Sequence, residues 1–190
     1  HKTVPSLKTA KKKIGYVGCL DYRFDIDLME YVVKHMPETE FDFTGYISNH
    51  LISERLSKYS NVALYKSVTQ KEVPMLLASY DLGIIPYNNL EINKGIYPLK
   101  VNEYLAVGLP VVMTNFAPLS EFNSVASISK NKEEFLVNIQ LEIANDSKIK
   151  IKNRIKFAGN NSWEKRAESF GNILEEMWDK KHKKSLRIAS

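Results

Sequence analysis

Residues 81–114 read DLGIIPYNNLEINKGIYPLKVNEYLAVGLPVVMT. Two short apolar runs, Asp81 to Pro86 and Pro110 to Thr114, flank a polar loop and a compact helical pattern. Each run has strand length and is rich in Ile and Val. Pro98 suits the first position of a helix, where its missing N–H has no intrahelical partner to lose. Gly108 suits the left-handed residue that closes a helix, and Pro110 stops any continuation. Between them Leu99, Val101, Tyr104, Leu105 and Val107 cover more than one helix face, which predicts a substantially buried helix.

The same alternation extends outward. Lys13 to Gly18 is strand-like, and Asp25 to Met36 has helical spacing. Glu40 to Thr44 is a second strand, followed by a polar helix near Ser48 to Lys58, and Asn61 to Tyr65 is a third. Thr69 with Glu72 reads as a capping box opening the next helix. Val125 to Ser129 is a sixth strand after those at 81–86 and 110–114, and helices are expected from Lys132, Lys148 and Ser162. Strands separated by helices imply right-handed crossovers and a parallel sheet. The fold class is α/β, a Rossmann-like parallel sheet of about six strands flanked by helices. The expected order 3-2-1-4-5-6 puts a ligand at the carboxyl ends of the strands, by the loops after the first and fourth. Residues 1–12 read as a basic linker or tag remnant, 13–178 as the domain and 179–190 as a basic tail.

The helix from Pro98 presents its amino end at the crest of that loop. Unpaired N–H groups and the positive end of the helix dipole attract phosphate or carboxylate there. Lys100, in the first turn, adds a full charge. Glu103, three residues on, lies on the same side, and its carboxylate can accept from two neighbouring hydroxyls, as in a ribose. A plain surface Lys–Glu pair would contribute only about 0.2–0.5 kcal/mol. The buried helix, its proline start and the polar loop before it favour the nucleoside diphosphate.

Asp81 to Pro86, a polar loop and then PLKVNEYLAVGLPVV resemble the carboxyl-terminal, donor-binding domain of GT-B glycosyltransferases of the group 1, family 4-like kind. IGYVG followed by Asp21, Arg23, Phe24 and Asp25 resembles that domain's first strand and loop, and Ser162-Trp163 with Arg166 its closing helix. The resemblance covers about residues 13 to 178. It implies that Glu103 holds the donor ribose and that Lys100 and the backbone of Tyr97, Pro98 and Leu99 lie beside the diphosphate. It further implies that Gly18 approaches the phosphates, that Arg23 contacts them, and that backbone near Ser67 and Val68 holds the base. Many retaining members carry a second glutamate, whose place here is taken by Gly95; Glu91 lies four residues too early unless the loop brings it round.

Other chemistries find little support. Gly15 and Gly18 miss the dinucleotide fingerprint, and Phe43-Thr44-Gly45 lacks the acid expected for an NAD ribose. No P-loop motif is present. Asp25-Ile26-Asp27 matches D-x-D, but Asp25 reads better as a helix cap with Asp27 in the positive first turn. The four histidines lack ligand spacing, so no metal is expected. Cys19 is the only cysteine, which excludes an intrachain disulfide and fits a cytoplasmic setting. It is expected to be a small buried or half-buried residue, and Trp163 a packing anchor.

The chain has net charge +5 and 44% hydrophobic residues, ordinary for a globular domain, with no apolar run long enough to span a bilayer. No signal peptide is recognised. Lysines crowd both ends, which allows peripheral contact with the inner face of a membrane. Aromatics do not interleave with a basic stripe, so nucleic acid is not an expected partner.

The resemblance implies a glycosyltransferase half. It binds a UDP- or GDP-linked sugar as substrate, needs no cofactor, and passes the sugar to an acceptor glycan or lipid-linked glycan. The acceptor and the catalytic base are assigned to an amino-terminal domain absent from this chain, so no catalytic residue is named and the chain alone is expected to be inactive. The rivals are a GT-B nucleotide-sugar 2-epimerase half and a non-catalytic nucleotide-binding or scaffold domain.

Overall fold

A computed structural model describes the backbone of residues 11–188 and the side chains of 11–178. The expectations for residues 1–10, for 189–190 and for the side chains of the basic tail lie outside the described residues. Six parallel strands, β1 (Lys13–Val17), β2 (Glu40–Thr44), β3 (Val62–Tyr65), β4 (Leu82–Ile85), β5 (Val111–Thr114) and β6 (Ser127–Ser129), form one sheet in the order β3-β2-β1-β4-β5-β6. The order and the parallel sheet are those expected. The register runs from Lys13 opposite Glu40 to Val17 opposite Thr44 on one flank of β1, and sets Ile14 opposite Leu82 on the other.

The helices are α1 (Ile26–His35), α2 (His50–Leu56), α3 (Val73–Ala78), α4 (Leu99–Ala106), α5 (Lys132–Ala144), α6 (Lys148–Asn160) and α7 (Trp163–Ile188). The chain winds outward from β1 in one direction and from β4 in the other. Right-handed crossovers therefore put α1 and α2 on one face of the sheet and α4 on the opposite face. Accordingly α1 touches α2 and α5, while α4 packs on α6. Between the layers Ile14, Tyr16, Phe41, Phe43, Ile84, Val112 and Met113 are fully buried.

Local chemistry fixes the helix starts. Asp25 caps α1 by accepting from the Leu28 N–H at 2.9 Å, so the D-x-D pattern is spent on a cap. Asn131 and Ser147 cap α5 and α6 in the same way. Some expectations need correction. The Glu72 carboxylate does reach back to the Thr69 N–H at 2.8 Å, but the Thr69 hydroxyl donates to that carboxylate instead of capping; α3 begins only at Val73. Strand β6 starts at Ser127 because the N–H groups of Val125 and Ala126 turn back to the Phe122 carbonyl. Helix α7 runs through Ile188, past the boundary expected at 178.

Candidate functional site

All six strands point the same way, so the loops after β1, β2, β3 and β4 gather along one edge. The β1 and β4 loops diverge in direction and clasp each other there. The Asp25 N–H donates to the Pro86 carbonyl at 2.8 Å and the Asn88 N–H to the Arg23 carbonyl at 2.7 Å, while Phe24 bridges Tyr87.

The sharpest local feature is Gly18. Its φ is +153°, a conformation side chains rarely adopt, and its N–H donates to the Thr44 carbonyl at 2.8 Å. A Cβ there would lie 2.2 Å from the Lys100 Nζ, so the ammonium rests in the space that glycine leaves. On the next loop, a Cβ on Gly45 would meet the Gly18 carbonyl at 1.8 Å. The two backbones touch because Gly45 has no side chain.

Helix α4 delivers Lys100 to this shelf. Its buried face is Val101, Tyr104 and Leu105, each 0% exposed. The Tyr104 ring crosses Gly83 of β4, where a Cβ would come within 2.4 Å of it. Its hydroxyl accepts from the Val17 N–H at 2.8 Å. One buried phenol thus ties the helix bearing Lys100 and Glu103 to the end of the strand bearing Gly18. Tyr16 holds the loop from beneath, donating to the Cys19 carbonyl at 2.8 Å, and its ring faces the Lys100 ammonium at 5.8 Å. The amino end of α4 has no side-chain cap. Pro98 occupies the position before the first helical residue, one earlier than expected, and Leu99 is 48% exposed where burial was expected. The closing glycine, Gly108, has φ +77° as expected.

Burial pushes the Lys100 ammonium below the ordinary lysine range; nearby Glu103 opposes that shift, and Arg23 adds to it. Arg23 is already engaged. Its hydrogen bonds to the Asp21 carboxylate raise its affinity for a proton, and its guanidinium lies 5.4 Å from the Tyr87 ring centre. Burial draws Asp21 upward, but the Arg23 hydrogen bonds outweigh it and hold the carboxyl below its usual range. Arg23 therefore sits near the site with its charge balanced, and Lys100 supplies the cation there without an ion pair of its own among the described residues.

Glu103 is exposed and lines a cleft of about 320 Å³ with Leu99, Asn102, Trp163 and Arg166. Tyr97 sets its ring beneath the Arg166 guanidinium of that cleft at 4.1 Å and accepts from the Asn102 amide at 3.0 Å. Ser67 borders a shallow groove with Gly45, Tyr46 and Tyr65, and Val68 is an exposed residue just beyond. Lys100 thus lies against Gly18 and within electrostatic reach of Arg23 and Glu103, whereas Glu103 opens on a cleft that Gly18, Arg23 and Lys100 do not line, and Ser67 shares its groove with Gly45. Glu91 is not brought round: it is 87% exposed and pairs with Lys94. Cys19 is half-buried as expected, but Trp163 is 71% exposed, not a packing anchor.

Sequence reasoning missed Tyr16, Tyr104 and Asp21. Tyr104 had a signal, since a tyrosine on the buried face of a short helix needs a partner for its hydroxyl.

A six-stranded parallel sheet in this order, with its open edge at the β1/β4 divergence, defines a Rossmann-like α/β domain. The sequence pattern of the glycosyl transferases group 1 family matches residues 11–146, and the chain belongs to that family. It is 29% identical over 110 residues to the "Putative teichuronic acid biosynthesis glycosyltransferase TuaH" of Bacillus subtilis (strain 168), a match over 57% of this chain and 28% of that protein. Among solved structures, Anabaena Alr3699/HepE in complex with UDP and glucose superposes with a TM-score of 0.62 at 13% identity, covering 80% of this chain and 44% of that one. A mutant of S. aureus TarM in complex with Fondaparinux, alpha-GlcNAc-glycerol and UDP gives 0.63 at 20% identity, covering 94% and 37%. At these identities the likeness is one of fold. The chain spans less than half the length of each of these relatives.

Proposed function

We propose that this chain is the donor-binding half of a glycosyltransferase and holds the diphosphate of a UDP- or GDP-linked sugar on the shelf formed by Gly18, Lys100 and the amino end of α4. The observation that carries this is the Lys100 ammonium, partly stripped of water and seated where a Cβ of Gly18 would be. A partly desolvated cation without its own carboxylate gains more from an arriving anion than an exposed, paired one does. As the sugar departs, negative charge accumulates on the diphosphate, and the ammonium and helix N–H groups stabilise it. Glu103, on the next turn of α4, accepts from the ribose hydroxyls, and backbone near Ser67 and Val68 faces the base.

The acceptor, a glycan or lipid-linked glycan, is held by an amino-terminal domain that also supplies the catalytic base. The sequence likeness to a protein named for teichuronic acid biosynthesis supports a cell-surface polysaccharide as the setting. Titration calorimetry of this chain with UDP, GDP, ADP and dTDP tests the reading. One or two of these should bind saturably and without added metal, and Glu103→Ala should weaken them about tenfold or more, the loss of a hydrogen-bonded carboxylate. No binding by any of the four, or an unchanged affinity in Glu103→Ala, would refute it. Product analysis of the full-length protein separates transfer to an acceptor from epimerisation of the free nucleotide sugar.

A further inference from the structure

The hydrogen bond between Tyr104 and Val17 stands where the sheet opens. Strand β1 keeps its ladder with β2 to its last residue, Val17 opposite Thr44. Its ladder with β4 covers only Ile14 opposite Leu82 and Gly15 opposite Gly83. Beyond Gly83, β4 stays in register with β5 as far as Ile85 opposite Met113, so the two central strands part there and the crevice begins. Successive N–H groups of a strand point to opposite neighbours. The Gly18 N–H turns to Thr44 at the end of β2, so that of Val17 points into the gap beside β4, past the end of the ladder. A half-buried N–H needs an acceptor, and the Tyr104 hydroxyl supplies it at 2.8 Å. The ring reaches that point across Gly83, where a Cβ would come within 2.4 Å of it.

Little else sets the rotation of α4. Its amino end lacks a side-chain cap, and Tyr104's buried companions Val101 and Leu105 are apolar. Apolar burial is non-directional. Among the described residues, the phenol makes the one hydrogen bond between α4 and β1. Lys100 lies one turn before Tyr104, so a rotation at one is passed to the other. Turning a helix by about 10° moves an atom about 6 Å from its axis by about 1 Å, and a misplacement of that size can cost about 100-fold. We infer that Tyr104 is a positioning residue of the donor site: by holding the Val17 N–H at the sheet opening it fixes the rotation of α4 and seats the Lys100 ammonium against Gly18. Its consequence for nucleotide rests on the donor-site reading; the seating of Lys100 does not.

Tyr104→Phe keeps the ring over Gly83 and removes only the hydroxyl. In the nucleotide-free chain, a Lys100 ammonium released from its seat regains water, so its pKa, held down by burial, should move up toward 10.5. Heteronuclear NMR titration of the lysine side chains reads this, with the Lys100 signal assigned by its loss in Lys100→Met. Calorimetry with UDP and GDP should show affinity about tenfold lower in Tyr104→Phe, short of the full-ångström penalty. Adding Tyr104→Phe to Lys100→Met should cause no further loss. Ile139→Ala, in α5 on the other face of the sheet, controls for lost stability and should leave both titration and affinity unchanged. All are measured where circular dichroism shows the variants folded. The inference is overturned if Lys100 titrates alike in wild type and Tyr104→Phe, or if Tyr104→Phe weakens binding equally with and without Lys100. A shifted Lys100 in Tyr104→Phe, beside a wild-type chain that binds neither diphosphate, would refute the donor-site reading and leave the seating role of Tyr104 standing.

Discussion

Replacing Lys100 with methionine should separate stability from binding, moving them in opposite directions. Methionine keeps the length and apolar stem of the side chain, so packing over Gly18 and the Tyr16 ring is retained. What disappears is an ammonium whose protonation the fold disfavours, because burial costs it hydration. The folded-state pKa lies below the unfolded value of 10.5, so between the two the unfolded chain binds more protons and wild-type stability climbs with pH. Below the folded-state pKa the whole penalty is present. The methionine variant should therefore unfold at a temperature equal to or above wild type at pH 7, with the difference shrinking as pH approaches that of an ordinary lysine. Nucleotide binding should go the other way. A hydrogen bond between a charged donor and phosphate contributes about 1.5–3 kcal/mol, or about 10- to 150-fold in affinity. Thermal unfolding at several pH values, with calorimetric titration of the preferred diphosphate, reads both. A lower melting temperature at pH 7 with undiminished affinity would refute the reasoning and make Lys100 a structural residue.

Gly18→Ala should displace the ammonium, because the new methyl would sit 2.2 Å from the Lys100 Nζ. It should also cost about 1–3 kcal/mol of stability for a side chain at an unfavourable φ; combined with Lys100→Met, the losses in affinity should fall short of additive, as isothermal titration would show. Tyr104→Phe leaves the half-buried Val17 N–H without its phenol acceptor, a loss of about 1–3 kcal/mol in urea unfolding.

Much of the fold was legible because its signals are local. The periods of the apolar residues, Gly108 before Pro110, and the cap Asp25 act within a few residues of one another, so one stretch of chain carries both cause and effect. The short runs at 13–18, 81–86 and 110–114 dictate parallel crossovers for the same reason. Thr69 misled because the capping pattern was present while the chain used Glu72 to close a turn ahead of the helix. Leu99 and Trp163 misled because apolar character does not say whether a neighbouring element arrives to cover it.

The candidate site divides along the same line. Proline, lysine and glutamate at the start of α4 are a property of sequence: their spacing along one helix fixes their relation before anything else folds. That Lys100 lies across Gly18, 82 positions earlier in the chain, depends on β1 and β4 being neighbours in the sheet. The Arg23–Asp21 pair is local, two residues apart, but the Tyr87 ring against Arg23 and the burial that leaves Lys100 as the available cation come only from the tertiary structure. Helical spacing propagates through covalent geometry, whereas the water lost by an ammonium depends on atoms that only the folded chain brings to it.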